Sequence, residues 1–125
     1  MAIHLFSFEK LESWQLSRKL AHNIYQITNK FPSEEKFAMV SQLRRAAVSV
    51  AANIAEGSTR ISPKDQAHFT SLAYSSLMEL LNHLIIAFDL GYLGEKELSV
   101  YRKNIRLLSV KLSNLKYSQL KRMEK

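Results

Sequence analysis

The sequence predicts an all-α protein: one domain over residues 1–125 that folds as an antiparallel, up-down-up-down four-helix bundle. Chain breakers cluster at only three places, around residues 31–33, 57–63 and 91–94, and they separate four segments of similar length. Each segment repeats its apolar residues at three- and four-residue spacing, which is the period of one helix face. With 3 Gly and 2 Pro, the chain is poor in the turn residues that an all-β domain needs.

The first predicted helix covers residues 8–29 and ends before Pro32, because proline disfavours α geometry in the residue that precedes it. Its core face consists of Leu16, Leu20, Ile24 and Ile27. The second covers residues 34–56, with Ser33 as the N-cap and Gly57 in the left-handed conformation that often follows a helix. Its apolar face consists of Leu43, Ala47, Val50, Ala51 and Ile54.

The third predicted helix covers residues 63–90 and has the clearest start, with Ser62 as the N-cap and Pro63 in the first turn. Its packing residues are Phe69, Leu72, Leu77, Leu80, Leu81, Leu84 and Phe88. Gly91 ends this helix. The fourth covers residues 95–121, and its core positions step by three and four in turn: Leu98, Tyr101, Ile105, Leu108, Leu112 and Leu115.

The charge of the chain is concentrated in the fourth predicted helix. The formal net charge is +7, and residues 99–125 contain eight basic residues and a single acid. Such an asymmetry indicates an anionic partner such as nucleic acid, or else a solubilising helix face. The candidate nucleic-acid-binding residues are Arg102, Lys103, Arg106, Lys111, Lys121 and Arg122.

The fourth helix also carries more apolar residues than one core face requires. At about 100° per residue, a second row falls on the side away from the core positions. This outer apolar row consists of Val100, Leu107, Val110 and Tyr117. It is either ordinary apolar surface or, as we favour, a subunit interface in a homo-oligomer.

The second predicted helix has a polar row opposite its apolar face. The row consists of Gln42, Arg45, Ser49, Asn53 and Glu56, spaced by three and four residues. Three interpretations stay open: a solvated face, a hydrogen-bonded seam between helices or subunits, or a ligand site.

No catalytic or metal-binding pattern is present in the sequence. The chain has no Cys, and its four His residues form no helical ligand pair with another His. Glu79 and His83 are four residues apart, but one carboxylate and one imidazole do not make a metal site. Phosphate-binding glycine motifs and nucleophile elbows are also missing. We therefore expect a protein that is not an enzyme and that takes no cofactor, metal or small-molecule substrate.

The expected compartment is the cytoplasm. No stretch of the sequence approaches about 18 uncharged apolar residues, so we expect no membrane span. The first ten residues lack the basic start of a signal peptide.

The segment from Phe31 to Arg60 resembles the four-helix bundle proteins encoded within intervening sequences of bacterial 23S ribosomal RNA genes. The family pattern reads FP-x-x-E, then Q-x-x-R-A-x-x-S, then N-I-A-E-G-x-x-R. This chain matches it at Phe31, Pro32, Glu35, Gln42, Arg45, Ser49, Asn53, Ile54, Ala55, Glu56, Gly57 and Arg60. It departs from the family at Ala38-Met39, often Gly-Leu, and at Ser75-Ser76, often Gly-Ser.

The resemblance implies a homo-oligomer, a pentameric ring, without established enzymatic activity. It also implies a likeness in fold to accessory proteins of diversity-generating retroelements, which are basic pentamers that bind nucleic acid and a reverse transcriptase. Together with the basic fourth helix, it favours an oligomer that binds RNA or a ribonucleoprotein. The alternative is a protein–protein adaptor ring without direct nucleic-acid contact.

Overall fold

The protein is a bundle of four α-helices, seen in a computed structural model that describes residues 2–124. The α-helices are α1, Glu12–Thr28; α2, Met39–Gly57; α3, Pro63–Asp89; and α4, Glu95–Lys121. Short 3-10 helices cover Ser7–Lys10, Ser33–Glu35 and Arg122–Glu124. No strand occurs within the part of the chain that the structure describes.

Contacts between helices establish the antiparallel order. The Nζ atom of Lys111, in the second half of α4, lies 3.1 Å from the carboxylate of Glu12 at the start of α1. Thr70 near the start of α3 donates a hydrogen bond to Gln119 near the end of α4. The predicted four-helix fold is therefore confirmed.

The core follows the predicted faces closely. In α4, five of the six predicted positions are buried and Leu115 is half-buried. In α1, α2 and α3 the largest buried side chains are Ile24, Leu43, Leu77, Leu80 and Leu84. Leu72 is an exception, because its side chain is 38% exposed and contributes little to the packing predicted for it.

Two helices begin later than predicted. Residues 8–11 are not part of α1, because Leu11 has an extended backbone that separates the 3-10 turn from the helix. The prediction that α2 begins beside Ser33 is also wrong. Glu35 accepts a hydrogen bond from the Met39 amide at 3.1 Å and another from the Tyr92 hydroxyl at 3.2 Å, so it caps a helix that begins four residues later.

Gly57 does not adopt the predicted left-handed conformation. Gly91 is the glycine that has a positive φ, at 82°, and it ends α3 with a hydrogen bond from the Tyr92 amide to the Ala87 carbonyl. Gly57 is instead the last residue of α2 and lies against α3. A Cβ atom at this position would be 2.8 Å from the Cβ of Phe69, so the close approach of the two helices requires glycine.

The composition of α3 is explained by its position between two helices. By length and composition α3 could cross a membrane. However, Leu77, Leu80 and Leu84 are fully buried in the core of the bundle. A helix that packs against a neighbour on each side needs such an apolar sequence.

Candidate functional site

Three basic side chains form the centre of the candidate site, on the outer surface of α4. Arg102, Lys103 and Arg106 are all exposed. They lie within about 100° of one another around the helix and point away from its buried face. No acidic residue follows Glu97 within α4, and none of the three bases forms an ion pair with the residues that the structure describes. We call this group the basic face.

The other three predicted bases are engaged in contacts. Lys111 forms the ion pair with Glu12 described above, and its side chain is 35% exposed. Lys121 lies over the Tyr117 ring, with its Nζ 5.5 Å from the ring centroid. Arg122 donates a hydrogen bond to the side chain of Gln66. Lys121 and Arg122 are nevertheless exposed, so both keep hydrogen-bonding capacity towards an anion.

The outer apolar row is exposed along its whole length, and the structure divides it in two. Val100 and Leu107 are 57% and 46% exposed and lie beside the junction of α4 with α1. Val110 and Tyr117 are 47% and 66% exposed and lie on the side of α4 that carries the basic face. The two pairs therefore have different surroundings: the first borders the α1–α4 junction, and the second lies beside the basic face.

An open groove runs between α1 and α4. It contains two cavities, of about 340 and 170 Å³, that share Asn23 and Asn104 in their walls. Val100 lines the first cavity and Leu107 the second. Neither asparagine was predictable from the sequence, because an isolated Asn on the side of a helix carries no pattern.

Tyr101 is buried and lines the first of these cavities. Its hydroxyl donates a hydrogen bond to the Asn23 carbonyl at 3.1 Å. Burial, and secondarily the negative charge of Glu97, raise the pKa of Tyr101 to about 12. The hydroxyl therefore stays protonated at neutral pH and acts as a structural donor.

The polar row of α2 has two different environments. Ser49 and Ser76 share a hydrogen bond of 2.8 Å across the α2–α3 contact. Asn53 donates to the Ser49 carbonyl at 2.9 Å and to its hydroxyl at 3.1 Å. These residues form the hydrogen-bonded seam that was one of the three interpretations. The remaining members of the row, Gln42, Arg45 and Glu56, are exposed.

Arg60, the last residue of the family pattern, packs on α3. Its guanidinium carbon lies 4.5 Å from the centroid of the Phe69 ring. The same phenylalanine lies against Gly57, so the glycine and the arginine of the N-I-A-E-G-x-x-R pattern both pack on one aromatic side chain. This arrangement gives the pattern a packing role where α2 meets α3.

Arg44, which precedes Arg45 in the sequence and is not a member of the polar row, connects α2 to α1. Arg44 lies over the Tyr25 ring at 4.5 Å and donates hydrogen bonds to Thr28, to Asn29 and to the Tyr25 carbonyl. It thus satisfies a carbonyl group in the last turn of α1. Sequence spacing could not distinguish Arg44 from Arg45, since the partners of Arg44 are 15, 16 and 19 residues away in the chain.

Across the described residues, no group of three or more His, Asp or Glu side chains is placed to hold a metal ion. The Glu79–His83 pair forms a single contact of 3.3 Å. With only one carboxylate and one imidazole, the pair lacks the three or four ligands of a metal centre.

A family model described as 23S rRNA-intervening sequence protein matches residues 9–114 of the chain. The chain belongs to this family. No curated protein matches the sequence significantly. The family assignment confirms the resemblance drawn from the N-I-A-E-G-x-x-R pattern.

A solved structure of an S23 ribosomal protein family member from Bacteroides thetaiotaomicron, a protein of unknown function, has the same fold. The TM-score is 0.78 over 84% of this chain and 95% of that chain, with 20% sequence identity. At this identity the likeness establishes the fold alone.

The 23S rRNA-intervening sequence protein match covers the groove, the polar row and the basic face. It ends at residue 114, before Tyr117, Lys121 and Arg122. The last turns of α4 therefore carry features of this chain that lie beyond the matched segment.

Proposed function

We propose that this protein is a non-enzymatic, cytoplasmic oligomer that binds RNA, or a ribonucleoprotein, through the basic face of α4. The observation that carries the proposal is that Arg102, Lys103 and Arg106 are exposed together on a helix surface without acids. Three cations held on a rigid helix attract a polyanion. Among the described residues, no carboxylate forms an ion pair with any of the three.

Contacts to phosphate would dominate such an interface. Phosphate contacts fix the position of RNA but do not read its sequence, so we expect low sequence specificity and strong salt dependence. Each phosphate contact adds about 0.9 to the slope of log affinity against log salt for a duplex, and about 0.7 for a single strand. The three bases of one subunit should therefore contribute about 2 to 3 to the slope.

The oligomer is the second part of the proposal. The groove between α1 and α4, with Val100 and Leu107 exposed at its edge, offers an apolar contact for another subunit. A lone bundle gains nothing from exposing these side chains in line. A closed ring of five subunits, which the family resemblance implies, would repeat the basic face around its circumference.

The proposal is tested with structured fragments of 23S ribosomal RNA, titrated at several salt concentrations. The variant Arg102→Gln/Lys103→Gln/Arg106→Gln should bind more weakly and lower the salt slope by about 2 to 3. The matched control is Lys10→Gln/Arg18→Gln/Lys36→Gln, which removes the same charge from exposed positions outside α4. If the unchanged protein does not bind RNA at low salt, the RNA-binding function is wrong. If the basic-face variant and the control variant lose the same affinity, the basic face is not the binding surface.

A protein–protein adaptor is the second candidate, favoured by the exposed Val100 and Leu107. Reversing the charges with Arg102→Glu/Lys103→Glu/Arg106→Glu separates the two functions. An adaptor keeps its protein partner in a pull-down, whereas an RNA-dependent complex is lost. Light scattering at micromolar concentration tests the oligomer in the same preparations, and a monomeric mass would contradict it.

A further inference from the structure

The end of α4 carries an aromatic side chain between basic groups, outside the basic face. Tyr117 is 66% exposed, and its ring is the most exposed aromatic surface on this helix. Together with Ser118, Lys121 and Arg122 it lines a surface cavity of about 380 Å³. The lining thus combines a flat π-face, a hydroxyl and two cations.

Arg122 is held in place by a chain of hydrogen bonds from another part of the bundle. Its guanidinium donates to the Gln66 side-chain oxygen, and the Gln66 amide donates to the Arg60 carbonyl at 2.8 Å. These contacts connect the end of α4 to the link between α2 and α3. A guanidinium anchored through one N–H group still has donors for an anion, and its orientation is fixed before a ligand binds.

Within the part of the chain that the structure describes, Lys121, unlike Arg122, is held only by a weak contact with the Tyr117 ring. A ligand that stacks on the ring can replace this contact. An exposed cation–π contact changes an equilibrium constant by only about two- to five-fold. Stacking of a nucleobase on an aromatic side chain is worth about five- to 100-fold. A base can therefore displace the ammonium group from the ring, and the released Lys121 can pair with the phosphate of the same nucleotide.

We propose that Tyr117, Lys121 and Arg122 bind one unpaired nucleotide of an RNA, with its base stacked on Tyr117 and its phosphate held by the two cations. This inference rests on the proposed RNA-binding function and adds a preference for single-stranded segments. Bases inside a duplex are stacked on one another and do not offer a free face, whereas single-stranded loops, bulges and overhanging ends do. The basic face, which has no aromatic residue between its bases, holds phosphates of either form.

The test compares a ten-nucleotide single-stranded RNA with a ten-base-pair RNA duplex, both fluorescently labelled, by anisotropy at one salt concentration. Tyr117→Ala should weaken binding of the single strand about five- to 100-fold and change binding of the duplex less than about two-fold. Tyr117→Phe keeps the ring and should bind both as the unchanged protein does. Val110→Ala is the matched control, since Val110 is an exposed apolar residue seven positions earlier on the same side of α4.

Three outcomes overturn the inference. One is that Tyr117→Ala leaves binding of the single strand unchanged while the protein still binds RNA. Another is that it weakens binding of single strand and duplex equally. A third is that it changes the mass measured by light scattering, because Tyr117 would then be a subunit contact. By contrast, failure of the unchanged protein to bind either RNA would contradict the proposed function itself.

Discussion

Replacement of Gly57 by alanine tests the close packing of α2 on α3. The new Cβ would lie 2.8 Å from the Cβ of Phe69 and 3.6 Å from the Gln66 carbonyl oxygen. Carbon atoms prefer a separation of about 3.5–4.0 Å. The Phe69 Cβ is attached directly to the backbone of α3, so no side-chain rotation relieves the overlap, and the two helices must move apart.

The expected net effect is a loss of about 1–2 kcal/mol in the free energy of unfolding. Overpacking costs about 1–3 kcal/mol, and the higher helix propensity of alanine returns at most about 1 kcal/mol. For a chain of 125 residues this lowers the melting temperature by about 3–10 °C. Urea unfolding followed by circular dichroism measures the change, at one protein concentration because oligomerisation stabilises the folded state.

Two further variants make the result interpretable. Ala52→Gly, at an exposed position of α2, measures the propensity difference between the two residues in the same helix. Gly57→Asn distinguishes close packing from a left-handed backbone, since Asn tolerates a positive φ but adds a larger side chain. If Gly57→Ala is as stable as the unchanged protein or more stable, Gly57 is not required by the close packing of α2 on α3.

Two other perturbations test polar contacts of the bundle. Because the pKa of Tyr101 is raised to about 12 from an ordinary value near 10, the unfolded chain loses this proton first, and stability should fall by up to about 2–3 kcal/mol between pH 10 and 12. Tyr101→Phe should remove this part of the fall in urea midpoints, and an unchanged pH profile would contradict the assignment. Ser49→Ala and Ser76→Ala should each cost about 1–2 kcal/mol, because each leaves a hydroxyl without its 2.8 Å partner. The double variant should cost less than the two together, and strict additivity in a double-mutant cycle would mean that the hydroxyls do not interact.

The sequence was sufficient to predict which face of each helix is buried, because the spacing of apolar residues follows the helix period. It could not predict distances between helices. The position of Gly57 after a helical segment is equally compatible with a left-handed cap and with close packing, and only the location of Phe69 on α3 separates them. Arg44 is a second example, because its partners at the C-terminal end of α1 are brought to it by the packing of two helices and not by their spacing in the sequence.

For the candidate site, the sequence predicted which residues of α4 are exposed. It did not predict which of them lie beside the same neighbours. Periodicity placed Val100, Leu107, Val110 and Tyr117 away from the core, and all four are exposed. Which of them belong together depends on the neighbouring elements. Val100 and Leu107 face the groove with α1, whereas Tyr117 lies with Lys121 and Arg122.

The two halves of the proposed function do not compete for the same surface of α4. At about 100° per residue, Arg102 and Arg106 lie about 110–150° around α4 from the centre of the groove-facing pair, Val100 and Leu107, whereas Lys103 lies about 50° from it. A subunit docked in the groove would therefore leave Arg102 and Arg106 open to solvent. It would also bring each basic face into a fixed relation with the next, so that one RNA could contact several subunits. Binding through linked sites raises the overall affinity without any new contact, provided that the ligand reaches both sites. If the protein assembles as proposed, a few weak phosphate contacts per subunit would then suffice for a stable complex with RNA.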